Sequence, residues 1–260
     1  MIKLSCCTVC LSTMPFEDGL DAAAELGFTR VEVIALRNNG IDLADWPAEK
    51  LADAMSTRGL EMIGLYPVPI DLRSLEQRVE SNAYIRRAID VADETGCGRL
   101  IFPPIGPNMR DTYDYAELAA ECRDLAACVG DRDVRICLEN HYLWPLCFAE
   151  DYARLFEQLD DPRVGACFDV GHYARTGEPH EAFIERFAGR IGHVHLKDHD
   201  ADGKAVRFGE GTVPLARTVE ALREAGYDGT ASIETEIRNG DRVENLRHAA
   251  AYCRDTLGLS

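Results

Sequence analysis

The sequence predicts an α/β protein folded as a single-domain (β/α)8 TIM barrel over residues 1–260. Three observations predict it. A chain of 260 residues matches the roughly 250 that one such barrel occupies. Eight short β-rich runs alternate with helical stretches along the whole length, which implies parallel strands joined by right-handed crossovers. No linker, low-complexity tract or shift of composition marks a domain boundary. The competing architecture, an open doubly wound sheet, usually places a glycine-rich phosphate loop after its first strand. Here that position reads Cys10-Leu11-Ser12-Thr13-Met14-Pro15, without glycine.

Taken in order, the predicted strands are residues 3–9, 30–36, 60–66, 99–102, 134–139, 164–170, 191–196 and 230–234, each rich in β-branched and apolar side chains. The first helix ends at Glu25-Leu26-Gly27 and the second at Arg58-Gly59, where glycine accepts a left-handed cap. Ile85, Ile89 and Ala92 give the third helix an apolar stripe at helical spacing before Glu94-Thr95-Gly96. Leu215, Val219 and Leu222 do the same for the helix that ends at Ala225-Gly226. After the last strand Leu246, Ala250, Cys253 and Leu257 repeat the pattern. Eight such units can close into a ring with no exposed strand edge.

With 28 Lys and Arg against 45 Asp and Glu, the formal charge is −17. That balance repels phosphate backbones and anionic lipid, so a small-molecule partner is expected, with no nucleic-acid and no membrane partner. Residues 4–16 carry no charge, but Ser5, Thr8, Ser12 and Thr13 interrupt them, and a span needs about 20 apolar residues. No signal-peptide pattern is present. Several of the ten cysteines sit in apolar runs, Cys137 and Cys167 among them, as buried reduced thiols do. A cytoplasmic location is expected. Cys6, Cys7 and Cys10 lack the second Cys/His pair of a zinc site and are expected to be structural.

The chemistry gathers at the ends of strand runs five to eight: Glu139, Asp169, His195 and Glu234. In a barrel all strand C-termini meet at one mouth, so these distant residues converge. Three carboxylates there repel one another unless a cation joins them. Three oxygen ligands and one imidazole suit Mn²⁺, Mg²⁺, Co²⁺ or Zn²⁺, with Mn²⁺ favoured. His193 shares a strand face with His195 and either hydrogen-bonds inside the barrel or serves the site. His141 and His172 fall just beyond strand ends, where loops cover a substrate. His180, His199 and His248 have weaker claims, and His248 is expected on a helix surface. Lys197 or Arg207 could grip a phosphate or carboxylate, and Trp144 could wall a sugar ring.

The runs Cys137-Leu138-Glu139-Asn140-His141, Phe168-Asp169-Val170-Gly171-His172, His193-Val194-His195-Leu196-Lys197-Asp198 and Ile233-Glu234-Thr235-Glu236 resemble those of the xylose-isomerase-like TIM-barrel superfamily. The motif match covers residues 137–236, and the first half matches in rhythm. The resemblance implies that Glu139, Asp169, His195 and Glu234 bind one divalent metal and that His172 contacts substrate. It implies further that Glu139 and Glu234 act as the acid and base pair on opposite faces of a sugar. Members that are multi-zinc endonucleases carry early histidines; here residues 31–36 lead into Arg37-Asn38-Asn39, residues 63–66 lead into Pro67-Val68-Pro69, and no histidine precedes His141.

The expected activity is therefore isomerisation or epimerisation of a small sugar, sugar phosphate or hydroxy-carbonyl compound through a metal-stabilised enediolate, with Glu139 and Glu234 exchanging the proton. A dehydratase of inosose or dehydroshikimate type uses the same first step, and deglycosylation of a keto-sugar is a third use of the site. A non-catalytic binding module would have lost ligands, and all four are present. Homo-oligomers are common in the resembling family, so a homo-oligomer is a possible form.

Overall fold

The computed structural model describes residues 1–36, 40–106, 113–237 and 240–260. Arg37, Asn38 and Asn39, which follow the second strand run, lie outside them. Among the described residues there are ten strands: β1 (Lys3–Cys7), β2 (Arg30–Ile34), β3 (Glu61–Tyr66), β4 (Ile70–Asp71), β5 (Arg99–Phe102), β6 (Pro104–Ile105), β7 (Arg135–Glu139), β8 (Val164–Asp169), β9 (Ile191–Leu196) and β10 (Thr230–Ile233). All but β4 and β6 form a closed barrel in the order β1-β10-β9-β8-β7-β5-β3-β2, with parallel pairing throughout. The eight runs expected from the sequence are the eight barrel strands. β4 and β6 pair with each other outside the barrel; at two residues each they are too short to show a period in sequence.

The helices are α1 (Phe16–Glu25), α2 (Ala48–Ser56), α3 (Leu75–Thr95), α4 (Tyr115–Val129), α5 (Ala149–Gln158), α6 (Val170–Ala174), α7 (His180–Phe187), α8 (Leu215–Glu224) and α9 (Arg242–Asp255). Helix α3 shows how local chemistry sets the ends. Ser74 accepts from the Gln77 N–H at the start. At the finish Gly96 takes φ 71°, which costs a residue with a Cβ but not glycine. Between them Ile85, Ile89 and Ala92 are buried against the barrel. In α9 Leu246, Ala250 and Cys253 are buried; Leu257 also is, although it lies beyond the helix end.

A large apolar core fills the space between strands and helices. The barrel interior is different: Ile101, Cys137 and Cys167 pack together with Tyr66, and Ser5, Glu32, His193 and Ser232 are fully buried beside them. All ten cysteines are free thiols, and nine are buried. Cys10 ties the β1 and β10 ends together, donating to the Ile233 carbonyl at 3.2 Å and accepting from the Thr235 N–H at 3.1 Å. Among the described residues no helix is long and apolar enough to cross a membrane.

Candidate metal centre

Parallel register brings the four residues together. Glu139 ends β7 opposite Cys167, Asp169 ends β8 opposite His195, and Ser232 pairs with His195 from the other side. Side chains two apart share a face, so Glu234, two residues after Ser232, returns to the same inner rim. Its N–H donates to the Leu196 carbonyl at 2.9 Å, which continues the ladder past β10. One ligand atom from each of Glu139, Asp169, His195 and Glu234 lies within 4.8 Å of the others, and all four residues are buried. Asn140 fixes the spacing of two of them: its amide donates to the Asp169 carbonyl and accepts from the Asp169 N–H, both at 2.9 Å. Asp169 also caps α6 by accepting from the His172 N–H at 2.7 Å.

The pairing inside the ring is dense. His195 Nδ1 stands 2.7 Å from Glu139 Oε1, 3.7 Å from Glu234 Oε2 and 3.8 Å from Asp169 Oδ2. Tyr66 donates its hydroxyl to the other Glu139 oxygen at 2.7 Å. The Lys197 ammonium lies 2.7 Å from Glu234 Oε2, 3.0 Å from Asp169 Oδ2 and 3.5 Å from Glu236 Oε1.

These contacts push the carboxyl groups apart in acidity. Burial alone would raise Glu139, but the hydrogen bond and charge of His195 outweigh it and hold the group at about 2. Burial raises Asp169 to about 7, with Glu139 and Glu234 adding to it and Lys197 opposing. Glu234 is raised as well, again by burial against the pull of His195 and Lys197. Burial works against charge on Lys197, but Asp169 and Glu234 hold its ammonium well above the usual lysine range.

The donor set fits a divalent cation. Two anionic oxygens already converge on the Lys197 ammonium, so the fold has built a place for positive charge. Hard carboxylate oxygens with one imidazole are ordinary ligands for Mn²⁺, Co²⁺ or Zn²⁺.

The structure treats the expected substrate-binding residues unequally. His141 and His172 meet with ring centroids 3.9 Å apart, and Trp144 and Tyr142 stand 5.7 and 5.1 Å from His141, forming an aromatic wall. Arg175 lies over Tyr142 at 3.8 Å. His172 Nε2 is 3.1 Å from Lys197 Nζ, which joins that wall to the carboxylates. Lys197, expected to grip a phosphate or carboxylate, meets carboxylates of the chain itself, those of Asp169, Glu234 and Glu236. Arg207 is outside the ring: its Nε donates to Asn245 Oδ1 at 3.2 Å. There it lines a cleft of about 760 Å³ with Lys204, Glu236 and Asn245. Glu236 faces both regions.

His193 takes the internal hydrogen bonds, to Glu32 and Ser232. His180 pairs with Thr218 at 2.6 Å, and His199 contacts the Gly171 carbonyl at 2.9 Å. His248 is half-buried against the Phe208 carbonyl at 3.0 Å rather than exposed. Two residues of the site escaped the sequence reading. Tyr66 ends β3, and Glu32 sits at the centre of Arg-Val-Glu-Val-Ile in β2. A charged residue flanked by valines in a short strand was the available signal for Glu32.

Comparison with known proteins gives a family model described as xylose isomerase-like TIM barrel, matching residues 20–256. The match therefore includes most of the half in which the sequence showed only rhythm. The chain is 32% identical over 158 residues to an inosose dehydratase of Geobacillus thermodenitrificans, covering 52% of this chain and 51% of that protein. It is 23% identical over 237 residues to a fructoselysine 3-epimerase of Shigella flexneri, covering 85% of each. The chain spans about a third to a half of the length of the first curated relatives it matches. Among solved structures, an IOLI protein with a binding zinc atom superposes with a TM-score of 0.83 at 16% identity, covering 99% of this chain and 98% of that one.

Proposed function

The chain belongs to the xylose isomerase-like TIM barrel family, whose matched relatives include an epimerase and a dehydratase, and from that premise we propose a divalent-metal-dependent isomerase or epimerase. Its substrate is a small sugar, sugar phosphate or related hydroxy-carbonyl compound. The observation that carries the reading is the buried convergence of Glu139, Asp169, His195 and Glu234 at the C-terminal rim of the barrel, the face where enzymes of this fold place their chemistry.

In this reading those four residues hold the cation, with Mn²⁺ favoured; the zinc atom of the IOLI structure supports a divalent ion. A divalent ion there supplies a Lewis acid that makes the proton beside the substrate carbonyl more acidic. Glu139 and Glu234 then move that proton. Glu139 has both oxygens engaged, by His195 and Tyr66, and a low pKa that keeps it ionised. Glu234 is held through Oε2 by Lys197, and its raised pKa suits it to carry a proton. His141, His172 and Trp144 orient the substrate and exclude water above the ring.

A second reading, dehydration of a keto-polyol, is favoured by one observation: the buried Lys197 ammonium 2.7 Å from Glu234 puts fixed positive charge beside the proposed base, where it would stabilise the negative charge developing on a leaving hydroxyl oxygen. Incubating the protein and Mn²⁺ with ketoses and inososes in D2O separates the readings. Deuterium incorporation with unchanged carbon skeleton supports the isomerase, and a product lighter by one water supports the dehydratase. Protein that binds no divalent ion and exchanges no proton would remove both.

A further inference from the structure

Beneath the four-residue ring, with its three carboxylates, lies a fourth acidic side chain that the proposed reaction does not use. Glu32 is fully buried in the barrel interior, where an unpaired carboxylate would be strongly destabilising. Its partners are two imidazoles. His195 Nε2 lies 3.0 Å from Oε1 and 3.1 Å from Oε2, and His193 Nε2 lies 2.9 Å from Oε2. His193 Nε2 is also 2.8 Å from Ser232 Oγ, which meets Ser5 Oγ at 2.7 Å. A polar chain thus runs from the rim into the barrel floor: Glu139, His195, Glu32, His193, Ser232 and Ser5.

The fold makes room for this carboxylate. A Cβ on Gly64, in the neighbouring strand β3, would come within 3.0 Å of Glu32 Cγ and 2.8 Å of Ile101 Cδ1. Glycine at that position leaves the Glu32 side chain its space. Burial alone would raise Glu32, but His195 and His193 outweigh it and hold it well below the usual carboxylate range.

A carboxylate accepts hydrogen bonds and cannot donate them. Both imidazole nitrogens within 3.1 Å of Glu32 therefore carry their hydrogens. For His193 this leaves Nδ1 as the bare nitrogen, and among the described residues that atom is buried without a hydrogen-bond partner. For His195 it leaves Nδ1 as the nitrogen that faces Glu139, Asp169 and Glu234; by the same argument Nδ1 carries a hydrogen to Glu139 Oε1 at 2.7 Å, the one a bound cation would displace.

We propose that Glu32 is a positioning residue that holds the Nε2–H of His195, fixing the ring orientation and presenting Nδ1 to the three carboxylates as the fourth ligand. The inference rests on the reading of that ring as a cation site. Partners that orient a ligating histidine in this way are typically worth 10- to 100-fold in metal affinity.

The test uses the full chain labelled with ¹⁵N-histidine, as wild type, Glu32→Gln and Glu32→Ala, with folding of each checked by near-UV circular dichroism. Zn²⁺ affinity is measured by competition with a chromophoric chelator, and the His195 ring nitrogens are followed by NMR before and after Zn²⁺. Gln keeps one acceptor without the charge, so affinity should fall about 10-fold in Glu32→Gln and about 100-fold in Glu32→Ala. The His195 Nε2 proton should exchange with solvent faster in that order. Glu32→Ala that binds Zn²⁺ within twofold of wild type, with an unchanged His195 nitrogen pattern, would overturn the proposal. If wild type binds no Zn²⁺, the metal reading fails. The Zn²⁺-free spectra still judge Glu32, because unchanged His195 ring-nitrogen shifts and an unchanged Nε2–H exchange rate in Glu32→Ala reject its role.

Discussion

Replacing Lys197 by methionine removes a buried cation while nearly preserving side-chain volume. The residue is 8% exposed, and its ammonium lies 2.7 and 3.0 Å from two carboxylate oxygens. At an effective dielectric constant of 20 each contact represents about 6 kcal/mol of gross attraction. Most of that repays desolvation, and the net loss on removing one partner of a buried pair is about 3–5 kcal/mol. For a chain of this size that corresponds to a fall in Tm of roughly 6–20 °C.

A divalent cation should restore much of the loss, since it neutralises the same oxygens. At 100 times its Kd, a ligand specific to the folded state adds about 2.7 kcal/mol. The ion also no longer competes with an ammonium, so it should bind the variant more tightly. The assay is thermal melting of wild type and Lys197→Met, each with EDTA and with Mn²⁺. The expected result is a lower Tm for the variant in EDTA and a larger rise with Mn²⁺ than in wild type. The deficit in EDTA should also shrink between pH 8 and pH 6. A carboxyl whose folded pKa is raised, as for Asp169 at about 7, destabilises the fold as pH climbs through that value and relieves it when protonated. A variant as stable as wild type in EDTA, or with the same Mn²⁺ shift, would refute the argument that Lys197 and a cation share one pair of carboxylates.

Glu234→Gln and Glu139→Gln should each lower turnover by about 10²–10⁴-fold with melting curves still cooperative; steady-state kinetics on a substrate identified by D2O exchange would show it, and near-wild-type kcat in either variant excludes that residue from proton transfer. Dialysis against a chelator should abolish activity and readdition of Mn²⁺, Co²⁺ or Zn²⁺ should recover it, with metal analysis showing about one ion per chain; full activity in metal-depleted protein contradicts the metal role. Nine of the ten thiols are buried, and burial raises several of them, Cys97 to about 12 and Cys137 to about 11. Titration with a disulfide reagent should therefore show at most one fast thiol, Cys128, before denaturation and ten afterwards; several fast thiols in the native protein would count against the barrel packing. Gly64→Ala should push Glu32 from its place and weaken metal binding in the same direction as Glu32→Gln, measurable with the same chelator competition.

What the sequence determined by itself was the barrel and the meeting of Glu139, Asp169, His195 and Glu234 at its rim. Strand–helix alternation is a local pattern, and closing eight parallel strands into a ring follows from it by rules of connection and handedness. Glu139, Asp169 and Glu234 were visible because each follows directly on an apolar strand run, and His195 because it stands beside a second histidine on one strand face. Once the strands are parallel, their convergence needs no further information.

Tertiary structure decided what each charge pairs with. Lys197 looked like an anion clamp from its place in a polar loop, yet it follows directly on β9, two residues after His195, and its ammonium lies among Asp169, Glu234 and Glu236. Arg207, in the same loop, turned instead to Asn245 on α9. Glu32 and Tyr66 come from the half of the chain without motifs, and only the strand order of the closed ring brings Glu32 on β2 to His195 on β9 and Tyr66 on β3 to Glu139 on β7. Local sequence reports which face a side chain takes in its own strand. The partner it finds across the barrel depends on register between strands far apart in the chain, and that is fixed only when the ring closes.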